Sequence, residues 1–170
     1  MTESPQRTFQ SRKVAIAFLM IMLILIGCYF LGYKYAQSAA YRIEVAVVDF
    51  MLKMEENRLT VLLQLEVQNP TLLSFSIVDG WFTTHFGVYT IGEGRLSAPV
   101  TLPPNEKAYA SASFIISYPE LGFSIVQAIR QQALSKKDYK VEGSLTVKAF
   151  MTFSFYVLFE SKGAISYRIS

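Results

Sequence analysis

Twenty consecutive residues without a charge, Val14 to Tyr33 (VAIAFLMIMLILIGCYFLGY), constrain this chain more than any other feature. As an α-helix the run rises about 30 Å, the thickness of the hydrocarbon core of a bilayer. A helix apolar on every side needs either a large protein interior or lipid around it. The run therefore predicts a transmembrane helix or signal-anchor over residues 14–35, preceded by a cytoplasmic tail of residues 1–13. Arg7, Arg12 and Lys13 stand before the run, and Lys34 and Arg42 after it. Positive charge leans to the N-terminal side, which predicts an inside N-terminus and an extracytoplasmic C-terminal domain. Tyr29, Phe30, Tyr33 and Tyr35 fall where an outer interfacial belt would lie. The expected location is the cell membrane, crossed once, with lipid as the partner of residues 14–35.

Two processing routes compete with a retained helix. Leu25-Ile26-Gly27-Cys28 resembles a bacterial lipobox, and the only cysteine of the chain falls at its lipidation position. Against lipidation at Cys28, the following Tyr29-Phe30-Leu31-Gly32-Tyr33 stays apolar where a mature lipoprotein turns polar. Cys28 also serves simply as a small apolar helix residue. Cleavage near Ala36-Gln37-Ser38 or Ser38-Ala39-Ala40 is the third route, but the apolar run exceeds the usual signal-peptide core. All three place the remaining domain outside the cytoplasm.

Charge and composition narrow the function classes. Arg7, Arg12, Lys13 and Lys34 against Glu3 account for the whole net charge of +3, so the rest of the chain is neutral. That leaves no basic footprint for nucleic acid. With 52% apolar and 17% charged residues, the chain is too hydrophobic to be disordered. One cysteine excludes an internal disulfide, and one histidine argues against a histidine-rich metal centre.

Beyond the anchor the apolar pattern changes to period two, the mark of half-buried strands. Val61, Leu63, Leu65 and Val67 alternate with Thr60, Gln64, Glu66 and Gln68; only Leu62 departs. The same alternation runs through Ala108–Ile116, Val141–Ala149 and Phe153–Glu160, with further strands expected at Ile43–Leu52, Phe75–Phe86, Val88–Ile91, Arg95–Leu102 and Ala164–Ile169. Turns are expected at Glu55-Glu56-Asn57, Asn69-Pro70, Gly92-Glu93-Gly94, Pro103-Pro104-Asn105 and Lys162-Gly163. Ser117-Tyr118-Pro119-Glu120 reads as a capping box, with Leu121, Ile125, Val126 and Ile129 at helical spacing to about Leu134. Residues 41–170 are thus expected as one all-β domain, an antiparallel β-sandwich with one short inserted helix.

The order of these elements resembles a known family. A strand ending Val67-Gln68-Asn69-Pro70 is followed by Phe75-Ser76-Ile77-Val78-Asp79, Gly92-Glu93-Gly94 and Leu102-Pro103-Pro104-Asn105. Then come an alternating strand into Ile116-Ser117, a helix, and Tyr139-Lys140-Val141-Glu142-Gly143-Ser144-Leu145, with Gly163 near the end. From Ile43 to Gly163 this resembles the late embryogenesis abundant type 2 family, whose unit is the water stress and hypersensitive response domain, in the form of a membrane-anchored prokaryotic member. The resemblance implies a fibronectin- or immunoglobulin-like sandwich without catalytic residues or cofactors, associated with desiccation or water stress. In it Asn69, Pro70, Gly92, Gly94, Pro103, Gly143 and Gly163 are structural motif residues.

The remaining candidates are weak as chemistry. His85 has no neighbouring Cys or His, and its nearest acids in sequence are Asp79 and Glu93; a lone histidine meets no step of an active-site constellation. Gly92-Glu93-Gly94 does not open a helix, as a phosphate loop would, and reads as a tight turn. No Gly-x-Ser-x-Gly elbow occurs. Trp81 and Phe82 are adjacent in an expected strand and must face opposite ways, so one of them is a candidate surface contact. The expectation is a membrane-tethered, non-enzymatic, extracytoplasmic stress-associated domain that acts through its folded surface. An accessory adaptor of a cell-envelope or transport complex, with a protein partner there, is the alternative. No metal, cofactor or small-molecule substrate is expected.

Overall fold

The computed structural model describes residues 5–54, 57–122, 126–127 and 138–164. The chain divides into two compact units, one ending at Ser38 and the other beginning at Ala39.

Helix α1 spans Pro5–Ala40. It starts inside the segment expected as a tail and runs five residues past the expected end at residue 35. The reason is local. Its only proline sits at the first position, where a missing N–H costs nothing, and Ala36, Ala39 and Ala40 are strong helix formers. The helix closes with a tightened last turn, in which the Arg42 and Ile43 N–H groups donate to the Ala39 and Ala40 carbonyls at 3.1 and 3.2 Å. Val14–Ala40 is long and apolar enough to cross a membrane, and the side chains of residues 14–31 are exposed throughout.

The second unit is an antiparallel β-domain. Its described strands are β1 (Glu44–Met54), β2 (Arg58–Gln68), β3 (Phe75–Phe86), β4 (Tyr89–Leu96), β5 (Val100–Leu102), β6 (Lys107–Ser117), β7 (Asp138–Ala149) and β8 (Phe153–Ala164). They form one continuous sheet in the order β1-β2-β6-β4-β3-β7-β8, with β5 paired to β3. The sequence predicts a sandwich; the structure joins its two halves through β4 and β6, at Arg95↔Ser113 and Leu96↔Ala112. The sheet curls into a half-barrel, and Phe50 of β1 stacks on Tyr139 of β7 at 4.5 Å.

Alternation decides what the curl encloses. Leu59, Val61, Leu63, Leu65 and Val67 of β2 are buried, as are Phe75, Ile77, Phe82 and Phe86 of β3 and Val141, Leu145 and Val147 of β7. Full burial of such side chains stabilises by roughly 1.5–3 kcal/mol each. Leu62 stays on the outer face.

Two expected breaks differ. Gly92-Glu93-Gly94 is not a turn but the middle of β4. The turn lies earlier, at Gly87, which takes a left-handed φ of +58°. Gly92 and Gly94 are glycines because a Cβ would strike Phe114 and Ile116 at Gly92, and Phe82 and Phe114 at Gly94. Lys162-Gly163 likewise lies within β8 rather than in a turn; there the aromatic ring of Tyr139 presses on Gly163 from the opposite strand. The expected final strand, beyond Ala164, falls outside the described residues. The β7–β8 turn falls in the expected gap between Ala149 and Phe153, at Phe150 and Met151, two non-glycine residues with φ of 51° and 60°.

Helix α2 (Tyr118–Leu121) is a single turn. The Glu120 carboxylate accepts from the Ser117 N–H at 3.1 Å, and Gly122 ends the turn at φ +78°. Ile125, Ile129 and Leu134 of the expected longer helix, and Glu55-Glu56 of the expected first turn, lie outside the described residues.

Candidate functional site

The outer face of β4, β3, β7 and β8 carries the exposed chemistry. Trp81 is 52% exposed while Phe82 is buried. The geometry around Phe82 fixes this direction. Phe82 pairs with Gly94 on one flanking strand and with Gly143 on the other, and its ring meets Phe114 at 5.8 Å. With two glycines beside it, the Phe82 ring fills space that side chains would otherwise take, and Trp81 must point outward. Trp81 then heads a row across four strands, Arg95, Trp81, Ser144 and Leu158. Leu158 and Tyr156 are exposed on the same face.

Trp81 also lines two shallow grooves. One, of about 550 Å³, is lined by Asp79, Trp81, Glu93, Arg95, Ser113 and Phe114, where β4 diverges from β6. The other, of about 480 Å³, is lined by Trp81, Thr83, Glu142, Leu158 and Glu160. The Asp79 carboxylate accepts from the Gly80 N–H at 2.8 Å.

One end of this face is a charge ladder. Lys140 Nζ lies 2.6 Å from Glu142 and 3.7 Å from Glu160, and Lys162 Nζ lies 2.8 Å from Glu160. His85 Nε2 is 3.1 Å from Glu142, and its Nδ1 is 3.1 Å from Thr90 Oγ1. Hydrogen bonds from Lys140 and His85 hold the Glu142 carboxyl below its ordinary value. Lys162 does the same for Glu160, and the Lys140 ammonium is raised by Glu142. On the β2–β6 outer face, Lys107 Nζ sits 2.6 Å from Glu66, whose other oxygen accepts from Tyr109 Oη at 3.0 Å.

His85 thus meets neither Asp79 nor Glu93 in a hydrogen bond but Glu142, 57 residues away. Sequence reading missed this pair, since only the β3–β7 register, with His85 opposite Lys140, brings them together. Among the described residues no group of three or more His, Cys, Asp or Glu side chains is placed to hold a metal ion.

Of the motif residues, Asn69, Pro70 and Pro103 gather in the loops at one end of the domain, whereas the glycines lie within β4, β7 and β8. Asn69 is fully buried. Its Nδ2 donates to the Leu73 and Pro103 carbonyls at 2.7 and 2.8 Å, and its Oδ1 accepts from Thr71 N–H and Oγ1 at 3.1 and 2.7 Å. Every hydrogen-bonding site of the amide is used. Pro70, exposed, ends the β2 ladder because it has no N–H to give. Gly143 allows β3 to approach: a Cβ there would collide with the Trp81 carbonyl oxygen and with Phe82. Cys28 is exposed on α1.

No family model matches the chain, and no curated protein does. Solved structures do. The solution structure of AT1g01470 from Arabidopsis thaliana is similar over 75% of this chain and 83% of its own, with 25% identity and a TM-score of 0.58. A protein described as late embryogenesis abundant, At2g46140.1, matches over 89% of this chain and 84% of its own, with 16% identity and a TM-score of 0.51. The β-domain has a late embryogenesis abundant-like fold. Within that fold the Asn69 amide bonds to the chain's own loops, including the Pro103 carbonyl, Gly143 lies against β3, and Trp81, Tyr156 and Leu158 are exposed on the outer face.

Proposed function

We propose that the chain is a membrane-tethered, non-catalytic domain of the late embryogenesis abundant type 2 kind, a fibronectin-like sandwich held outside the cytoplasm and associated with water stress. The observation that carries the reading is the union of a membrane-length apolar helix with a domain of late embryogenesis abundant-like fold. Arg7, Arg12 and Lys13, N-terminal to the apolar run, support an inside N-terminus. The use of all of Asn69's hydrogen-bonding capacity on its own loops supports a framework role for the family motif. The test has two parts. Protease added to intact spheroplasts should remove the β-domain, and the full chain in vesicles should preserve the activity of a labile enzyme through drying. Digestion only after lysis would reverse the orientation. Protection no better than that given by empty vesicles would end the stress role.

The adaptor reading is favoured by one observation, the exposed row of Trp81 and Leu158 with Tyr156 beside it. Recovery of a stoichiometric envelope protein from mild detergent, lost on Trp81→Ser, would favour it over the stress role.

A further inference from the structure

We propose that the Leu72, Phe150 and Met151 end of the β-domain docks onto the surface of the bilayer that anchors the chain. This rests on the anchoring reading above. Three features carry it: the apolar side chains, the unusual turn that presents two of them, and the short tether.

The strand register places these residues at one end of the domain. Glu44 at the start of β1 pairs with Gln68 at the end of β2, and Gln68 pairs with Lys107 at the start of β6. Loop 69–74 leads from there into β3, where Ser76 pairs with Lys148. The β7–β8 turn follows two residues later. Leu72 and Phe150 are exposed at this end, and Met151 is 96% exposed. Exposed Tyr41 is at the same end, three residues before β1.

The turn itself breaks local rules. Both Phe150 and Met151 have left-handed φ, at the centre of the Ala149–Thr152 turn within a three-residue connection; two successive positive φ values favour residues such as Asn and Gly. The turn is nonetheless well made: the Thr152 N–H donates to the Ala149 carbonyl at 3.2 Å and its Oγ1 to the Phe150 carbonyl at 3.0 Å. Two large apolar side chains held in an unfavourable conformation and presented to solvent point to a contact made by that turn. Aromatic and methionine side chains on a protruding tip suit the boundary between headgroups and acyl chains.

Chain length identifies the occupant. From Tyr35 the helix continues five residues to Ala40, a rise of about 8 Å. Four further residues reach Glu44, at most about 14 Å. The end carrying Leu72, Phe150 and Met151 is therefore the end leashed to the membrane. The opposite end, with the exposed Val88 in the β3–β4 turn, lies a strand length of about 40 Å further along.

The test uses the full chain with Cys28→Ser, reconstituted in vesicles of phosphatidylcholine and phosphatidylglycerol. A single cysteine, Met151→Cys or Val88→Cys, carries an environment-sensitive fluorophore. The label at 151 should shift its emission to the blue and be quenched by spin-labelled lipid; the label at 88 should do neither. Adding Phe150→Asn and Leu72→Ser should cut the quenching at 151 by several-fold while the protein still floats with the vesicles. A water-like, unquenched label at 151 on floating protein would overturn the docking and leave the anchor intact. Protein that does not float would overturn the anchor and the docking with it.

Discussion

Asn69 and Pro103, 34 residues apart, are joined by a 2.8 Å hydrogen bond from the asparagine Nδ2 to the proline carbonyl. The same amide holds Leu73 and Thr71 of its own loop. Beside it the Asn69 N–H donates to the Glu106 carbonyl at 2.9 Å, and the Asn105 N–H to the Thr71 carbonyl at 3.0 Å. One buried side chain therefore fastens the β2–β3 loop to the β5–β6 loop, two of the connections that carry the chain between the two halves of the sheet.

Removing that amide takes a partner from the part-buried Leu73 and Pro103 carbonyls and from the buried Thr71 N–H and hydroxyl, and a buried polar group left unpaired costs roughly 1–3 kcal/mol. Asn69→Ala should thus destabilise the β-domain by about 3 kcal/mol, measured by urea denaturation of the chain in mild detergent. Asn69→Asp should cost at least as much at neutral pH, because a carboxylate oxygen would face two carbonyl oxygens. Its deficit should shrink as the pH falls and the carboxyl gains a proton. An unchanged urea midpoint for Asn69→Ala would show that the clasp contributes nothing.

Stability should fall at both extremes of pH. The carboxyls of Glu142, Glu66 and Glu160 are held below their ordinary values by Lys140, Lys107 and Lys162 respectively, with His85 and Tyr109 assisting the first two. A depressed carboxyl stabilises fully above the ordinary glutamate range, and the contribution is lost as the pH falls through its folded-state value. Lys107 and Lys140 are raised by Glu66 and Glu142, so their contribution is lost as the pH rises through the folded lysine values. Tyr139 is raised chiefly by burial, and it too lowers stability on the alkaline side. Glu142→Gln should flatten the acid limb of midpoint against pH, and molar salt should flatten it in the parent chain. An acid limb identical in both proteins would remove Glu142 from the explanation.

The parts of this structure legible in the sequence are those encoded by neighbours in the chain. Period-two alternation in β2 decides which side chains face the core, and Trp81 beside Phe82 forces one of them outward. Glycine misleads where its role comes from another strand. Gly92 and Gly94 read as turn formers, yet they are small because Phe114 and Phe82 lean on them. The break at Phe150-Met151 is legible as the gap between two alternating runs, but its left-handed conformation is not, since neither residue is a turn former. His85 with Glu142 and Asn69 with Pro103 depend on register across strands, which local patterns leave open until a core fixes it.

Thr84 offers a test in the stabilising direction. Its Oγ1 is buried without a hydrogen-bond partner among the described residues, and the residue lies between Gly92 and Val141 on the flanking strands. Valine has nearly the same shape and the same β-branching, and it removes the unpaired hydroxyl. Thr84→Val should raise stability by about 1 kcal/mol, seen as a higher urea midpoint at unchanged slope. A loss of stability would mean that the hydroxyl is satisfied in solution.

Gly143 and Gly80 allow a comparison that separates rigid from yielding neighbours. A Cβ at Gly143 would meet the Trp81 carbonyl oxygen and Phe82 Cα, which are backbone atoms of the paired strand. They can retreat only if β3 and β7 part. A Cβ at Gly80 would meet Leu145 Cδ2 at 2.7 Å and Leu96 Cδ1 at 2.8 Å, side-chain tips that can turn away. Overpacking costs typically about 1–3 kcal/mol and more where nothing yields. Gly143→Ala should therefore cost about 3 kcal/mol or more, and Gly80→Ala about 1 kcal/mol. The first variant should also change the exposure of Trp81, the only tryptophan, because the collision falls on that residue's own carbonyl. A shifted Trp81 emission with Gly143→Ala, and an unshifted one with Gly80→Ala, would tie the outward face of β3 to its closeness to β7. Equal losses in the two variants, with no change in emission, would contradict it.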